Sequence, residues 1–120
     1  MLDDFTPVDT VPELVIADLV DGSGVAAEVS DTVTCHYVGA IAKTGAVFQS
    51  SRDFGKPISF PLNGVIQGWT EGVPGMKVGG KRRLLIPAAK AYGSRPPYGS
   101  GIPADADLVF DIELVAIEGK

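Results

Sequence analysis

Fifteen glycines and nine prolines fall along these 120 residues so that no long helix fits between them. What the breakers leave is a series of short runs rich in β-branched and aromatic residues, the composition of strands. Leu14–Val20 is apolar and is turned by Asp21-Gly22-Ser23-Gly24. Thr32–Val38 sets Val33, Cys35 and Tyr37 on one face and Thr34, His36 and Val38 on the other. A Lys43-Thr44-Gly45 turn precedes Val47–Ser51, and Pro57–Leu62 reads as a further short extended piece. Lys81–Ile86 and Leu108–Ile117 complete the set. In the last, Leu108, Phe110, Ile112 and Leu114 alternate with Val109, Asp111, Glu113 and Val115, the pattern of a half-buried antiparallel strand.

One segment departs from period two. After an Asn63-Gly64 turn, Val65, Ile66, Trp69 and Val73 recur at helical spacing, and Gly75 and Gly79-Gly80 shut the pattern off. One short helix among five or six strands predicts an α+β domain in which an antiparallel sheet packs one face on the helix. Residues 1–12, with Pro7 and Pro12 and no period, read as an N-terminal tail, ordered or frayed; residues 13–118 read as one domain.

Composition narrows the chemistry. At 45% hydrophobic and 21% charged residues the chain carries the make-up of a soluble globular domain. A single Cys35 and a single His36 leave no intramolecular disulfide and no ligand set for a structural zinc, so no metal site and no cofactor is expected. No apolar run reaches the roughly 18 residues of a membrane span, and the acidic start Met1-Leu2-Asp3-Asp4 is unlike a signal peptide. These features predict a cytoplasmic protein that does not engage a membrane. A net charge of −5 makes nucleic acid a poor partner. The charge is uneven: before Lys43 every charged side chain is an acid, Asp3, Asp4, Asp9, Glu13, Asp18, Asp21, Glu28 and Asp31, whereas bases gather at Lys77, Lys81, Arg82, Arg83 and Lys90. Either each face is simply solvated or the acidic end steers a basic partner.

Familiar catalytic sets are missing. Cys35 and His36 are neighbours on a strand and point to opposite faces, so they cannot form a nucleophilic pair. No G-x-S-x-G elbow, third glycine of a dinucleotide fingerprint or Walker spacing occurs. Asp105 and Asp107 read as solvated acids near a strand start.

What remains is aromatic. Taken singly, Tyr37, Phe48, Trp69, Tyr92 and Phe110 would be core residues. Their neighbours alter that reading: Val47-Phe48-Gln49-Ser50-Ser51-Arg52-Asp53, then Gly64-Val65-Ile66-Gln67-Gly68-Trp69-Thr70-Glu71-Gly72-Val73, then Met76–Arg83, Ala91-Tyr92-Gly93, Ile102-Pro103 and Leu108-Val109-Phe110. From about Leu14 to Ile117 this ordered series resembles the FKBP-type peptidyl-prolyl cis/trans isomerases, in a minimal single-domain form.

The resemblance implies an antiparallel sheet wrapped over one short helix, with a prolyl-binding pocket between them. It implies Trp69 as the pocket floor, Tyr37, Phe48, Val65, Ile66, Ile102 and Phe110 as walls, and Tyr92 with its hydroxyl over the rim. The backbone N–H of Ile66 and the hydroxyl of Tyr92 would bond ligand carbonyls, and residues 94–101 would overhang the site. The implied partners are proline-containing unfolded or flexible polypeptides and macrolide inhibitors, bound by a monomer. Gln49 stands where active members of the family usually carry an Asp, and Phe54 stands where some carry the arginine that pairs with it. Replacing both avoids a lone buried charge. Gln49 therefore keeps a second reading open, that of a catalytically weak proline-binding or chaperone module on the same fold.

Overall fold

The computed structural model describes the whole chain, Met1–Lys120. Six strands lie between the breakers: β1 (Val15–Val20), β2 (Thr32–Ile41), β3 (Val47–Ser50), β4 (Ile58–Pro61), β5 (Lys81–Ile86) and β6 (Leu108–Ile117). The single helix, α1 (Gln67–Gly72), separates β4 from β5. Every pairing is antiparallel, in the order β1-β5-β6-β2-β3, and β4 joins β2 beyond the end of β3.

One face of this sheet carries the main core. Val33, Cys35 and Tyr37 of β2, Leu84 and Ile86 of β5 and Phe110, Ile112 and Leu114 of β6 are buried there with Trp69 and Val73. The alternation expected of β2 and β6 is therefore the one the fold uses. It is reset once, because Thr34 lies opposite Ala116 while Cys35 lies opposite Leu114. Val115 is the extra residue of that bulge, and Ile117 returns to the core side against Val33.

Two glycines bring α1 close to the sheet. A Cβ on Gly68 would stand 2.5 Å from Ile86, and one on Gly72 would stand 2.8 Å from Leu84. Four residues apart, they clear one helix face. At the helix C-terminus, Arg82 donates to the carbonyls of Gly72 (2.8 Å) and Pro74 (3.3 Å) and pairs with Asp18 at 2.6 Å. Orphaned C-terminal carbonyls thus find a cation.

The opposite face is covered by the N-terminal segment. Residues 1–12 form no strand or helix, yet Leu2, Phe5 and Val11 are buried against Ala40, Ala42 and Val109. Backbone bonds from Leu2 to Gly45 and from Val8 to Ala42 hold the segment down. Arg83 fastens it further, donating to the carbonyls of Asp3 and Asp4 while forking onto Asp111 and lying 5.5 Å over the Phe5 ring. Val109, on the polar-facing register of β6, is buried for this reason. Asp107 is likewise no solvated acid: its two oxygens accept from the N–H groups of Val11 and Ala88.

A candidate prolyl-binding site

The chain leaves the sheet at Ser50 and rejoins it at Ile58, and the excursion shapes the site. Ser50 caps a 3-10 turn, Ser51–Phe54, in a capping box with Asp53, and Gly55 closes it in the left-handed region at φ 71°. The ladder on that side of β2 is broken between Cys35, opposite Ile58, and Val38, opposite Ser50. Ser51 fills the break. Its buried Oγ accepts the Tyr37 N–H at 2.9 Å and sits 3.0 Å from His36 Nδ1.

From this frame five aromatic rings converge. Trp69 meets three of them edge to face, with centroid distances of 5.2 Å to Phe60, 5.5 Å to Phe110 and 5.6 Å to Tyr37. Tyr37 is also 5.6 Å from Phe60, and Phe48 is 5.8 Å from Phe110 at 89°. Such tilted contacts set the positive ring edge against a neighbour's negative face. Trp69, Tyr37, Phe110 and Ile102 are buried, whereas Phe48, Phe60, Val65, Ile66 and Tyr92 pack against the same core while staying half-open. The half-open residues form the solvent-facing side of the cluster.

The cluster's electrostatics follow from its composition. It contains no ionised side chain. Burial raises the Tyr37 hydroxyl above the ordinary phenol pKa, and the neighbouring Tyr92 and Asp53 push it in the same direction, so Tyr37 stays a neutral donor throughout the physiological range. The backbone at the helix start has N–H groups to spare. Ile66, the helix N-cap, accepts from the N–H groups of Trp69 and Thr70, while its own N–H has no protein acceptor.

Of the residues singled out from sequence, Tyr37, Phe48, Trp69 and Phe110 are rings of this cluster, while Ile102 belongs to the same hydrophobic core and Val65, Ile66 and Tyr92 pack against that core. Gln49 does not join it. It lies exposed on β3, with no side-chain hydrogen bond, and Phe54 is 54% exposed on the turn that follows. Phe60 belongs to the cluster but was not expected; its alternation with Ser59 on β4 was the available signal. Gly39 was also missed. A Cβ there would stand 2.7 Å from both Phe48 and Phe110, so the two rings meet across the space that a missing side chain leaves. Two concavities lie elsewhere. One, of about 220 Å³, is polar and surrounds Asp18 and Arg82; the other, of about 590 Å³, runs over the outer face past His36 and Arg83.

Comparison with known proteins shows the family. The family model for the FKBP-type peptidyl-prolyl cis-trans isomerase matches residues 24–115. The chain belongs to that family. It is 51% identical over 112 residues to a probable FK506-binding protein of Corynebacterium glutamicum, covering 92% of each chain. Among solved structures it is similar to AtFKBP13, with a TM-score of 0.77 and 39% identity over 86% of this chain and 91% of the other. It is also similar to FkpA from Escherichia coli, with a TM-score of 0.79 and 45% identity; there it spans 47% of the longer chain. The antiparallel sheet with one short helix is thus the FKBP architecture.

Proposed function

We infer that this FKBP-type isomerase turns X-Pro bonds at the aromatic cluster, acting as a monomeric cytoplasmic folding catalyst on proline-containing segments of unfolded or flexible chains. The observation that carries the reading is Trp69 beneath three edge-to-face rings, with an unsatisfied Ile66 N–H beside it.

The chemistry asks little of side-chain ionisation. A peptide bond resists rotation by about 18–20 kcal/mol because C–N has partial double-bond character. For X-Pro bonds the uncatalysed turn takes tens to hundreds of seconds. In the twisted transition state that resonance is lost, the carbonyl dipole shrinks and nitrogen regains its lone pair. An apolar aromatic surface disfavours the polar planar amide more than the twisted one, and only such differential binding accelerates the step. Each ~1.4 kcal/mol gained this way is worth tenfold in rate. In this reading the proline ring lies on Trp69 between Tyr37, Phe48 and Phe110. Val65 and Ile102 exclude water, and the Ile66 N–H and Tyr92 hydroxyl hold the flanking carbonyls.

A proline-limited refolding assay tests the activity, with Trp69 emission titrated by a macrolide in parallel. Catalysed refolding that a saturating macrolide stops, with a saturable change in emission, supports the reading. An unchanged spectrum at independently established saturation places the ligand elsewhere.

Gln49 motivates a second reading. Exposed and without a side-chain hydrogen bond, it adds no polar group to the cluster, so the cluster would bind prolyl segments while turning them slowly. Macrolide or prolyl-peptide binding without accelerated refolding would favour this weaker module.

A further inference from the structure

β1 is an edge strand that the fold leaves uncovered. It pairs with β5 on one side, and none of its backbone groups appears in any hydrogen bond outside that ladder. Val15, Ile16, Leu19 and Val20 are between 42% and 50% exposed. Proteins normally blunt such an edge with charge, proline or a covering loop, because a free row of N–H and C=O groups templates another strand.

The charges around β1 indicate what kind of strand would fit. Glu13 precedes it and Asp21 follows it; both are exposed and neither is in an ion pair. Asp18, between them, is already spent on Arg82. The edge therefore presents an apolar middle with an unpaired acid at each end. A second copy of this chain is a poor occupant: antiparallel pairing would set the Glu13 end of one β1 against the Asp21 end of the other, and parallel pairing would set Glu13 beside Glu13. Like charges opposed across a ladder are destabilising. The bulge between Asp18 and Val20 adds twist that hinders open-ended stacking.

We propose that β1 is a docking edge for an extended segment of another polypeptide, apolar at alternate positions and carrying Lys or Arg at both ends. The segment adds as a further strand. Main-chain bonds to the free edge supply affinity, and the Glu13 and Asp21 carboxylates select the sign of the partner. The site is separate from the aromatic cluster, since β1 and β3 lie at opposite ends of the sheet order.

The test uses the full chain and the nine-residue peptide Lys-Thr-Val-Thr-Val-Thr-Val-Thr-Lys, which has no proline and matches the Glu13-to-Asp21 span, followed by fluorescence anisotropy. Binding should weaken by about tenfold or more when Glu replaces both terminal Lys residues, or when the protein carries Glu13→Lys with Asp21→Lys. It should also weaken from about 0.03 to 0.3 M salt, as screening shortens from roughly 20 Å to 5 Å. Two further peptides, N-methylated at alternate residues in the two possible patterns, keep charge and side chains but remove one row of donors each. Loss of binding in at least one pattern supports strand addition. Retention in both overturns it, leaving a charge contact alone, and no binding of the parent peptide at low salt overturns it outright. Sedimentation decides the remaining rival: a wild-type dimer that Glu13→Lys with Asp21→Lys alters would make a second copy the occupant and overturn the proposal. The double variant should retain the wild-type isomerase rate, which separates failure here from failure of the cluster as the site.

Discussion

The Tyr37 N–H donates to the Ser51 side chain at 2.9 Å, where a neighbouring strand would otherwise supply a carbonyl. Ser51 is 1% exposed, so no water can take over that bond. Ser51→Ala leaves a buried donor unpaired and should cost about 1–3 kcal/mol. Isomerase activity should fall with it, because Tyr37 loses the anchor that aims its ring at Trp69. Urea unfolding checks the first part; a midpoint equal to wild type would mean that the strand relaxes onto another acceptor.

Gly39 separates packing from polarity at the same site. Its backbone lies outside the left-handed region, so only space explains the glycine. Gly39→Ala pushes a methyl into Phe48 and Phe110 and should destabilise by about 1–3 kcal/mol. The folded fraction should bind a macrolide more weakly. Wild-type affinity in a folded Gly39→Ala protein would show that the Phe48–Phe110 contact is not part of the binding surface.

Much of this arrangement was legible in the sequence, and the exceptions have physical reasons. Strand positions followed from breakers and alternation because both are local properties of the chain. The helix followed from the spacing of Val65, Ile66, Trp69 and Val73. The covering of the outer face did not, since Leu2, Phe5 and Val11 share no period and find their partners, Ala40, Ala42 and Val109, far along the chain. Most of the site residues followed from resemblance to a family, not from spacing. Gly39 and Ser51 were illegible for a common reason: each acts at a break or gap defined by other strands. Phe60 was legible from parity alone.

Cys35 predicts an alkaline limit. Complete burial pushes its thiol up to about 12 from an ordinary 9.0. The folded state favours the neutral form, so stability is unaffected below about pH 9 and declines as pH rises toward about 12, by up to ~4 kcal/mol. Tyr37, also raised by burial, acts with the same sign. Urea midpoints between pH 7 and the onset of alkaline unfolding should fall more steeply for wild type than for Cys35→Ala, although the variant starts lower for loss of packing. Parallel slopes would assign the alkaline limit to Tyr37 and the other titrating groups.

Gln49 invites restoration of the acid usual in this family. Because Gln49 is exposed, Gln49→Asp should change stability little, in contrast to the cost of a buried carboxylate. A charge-assisted bond to ligand is worth about 1.5–3 kcal/mol against about 1 for a neutral one. Gln49→Asp should therefore raise kcat/KM or macrolide affinity by up to about tenfold. Adding Phe54→Arg, at a position now 54% exposed, should give a further gain only if the guanidinium orients the new carboxylate. If Gln49→Asp is folded yet neither faster nor tighter, the amide is an adequate substitute.

The strap of residues 1–12 has a consequence for the other side of the sheet. Ala40 and Val109, which it buries, are the chain neighbours of Gly39 and Phe110, which shape the cluster. On a strand these neighbours share a peptide plane and face opposite ways. Each anchor seated from behind thus fixes the tilt of a wall residue in front. Leu2, Phe5 and Val11 work as backing to a mount: they touch nothing that binds, yet loosening any one of them frees the wall they hold from the rear.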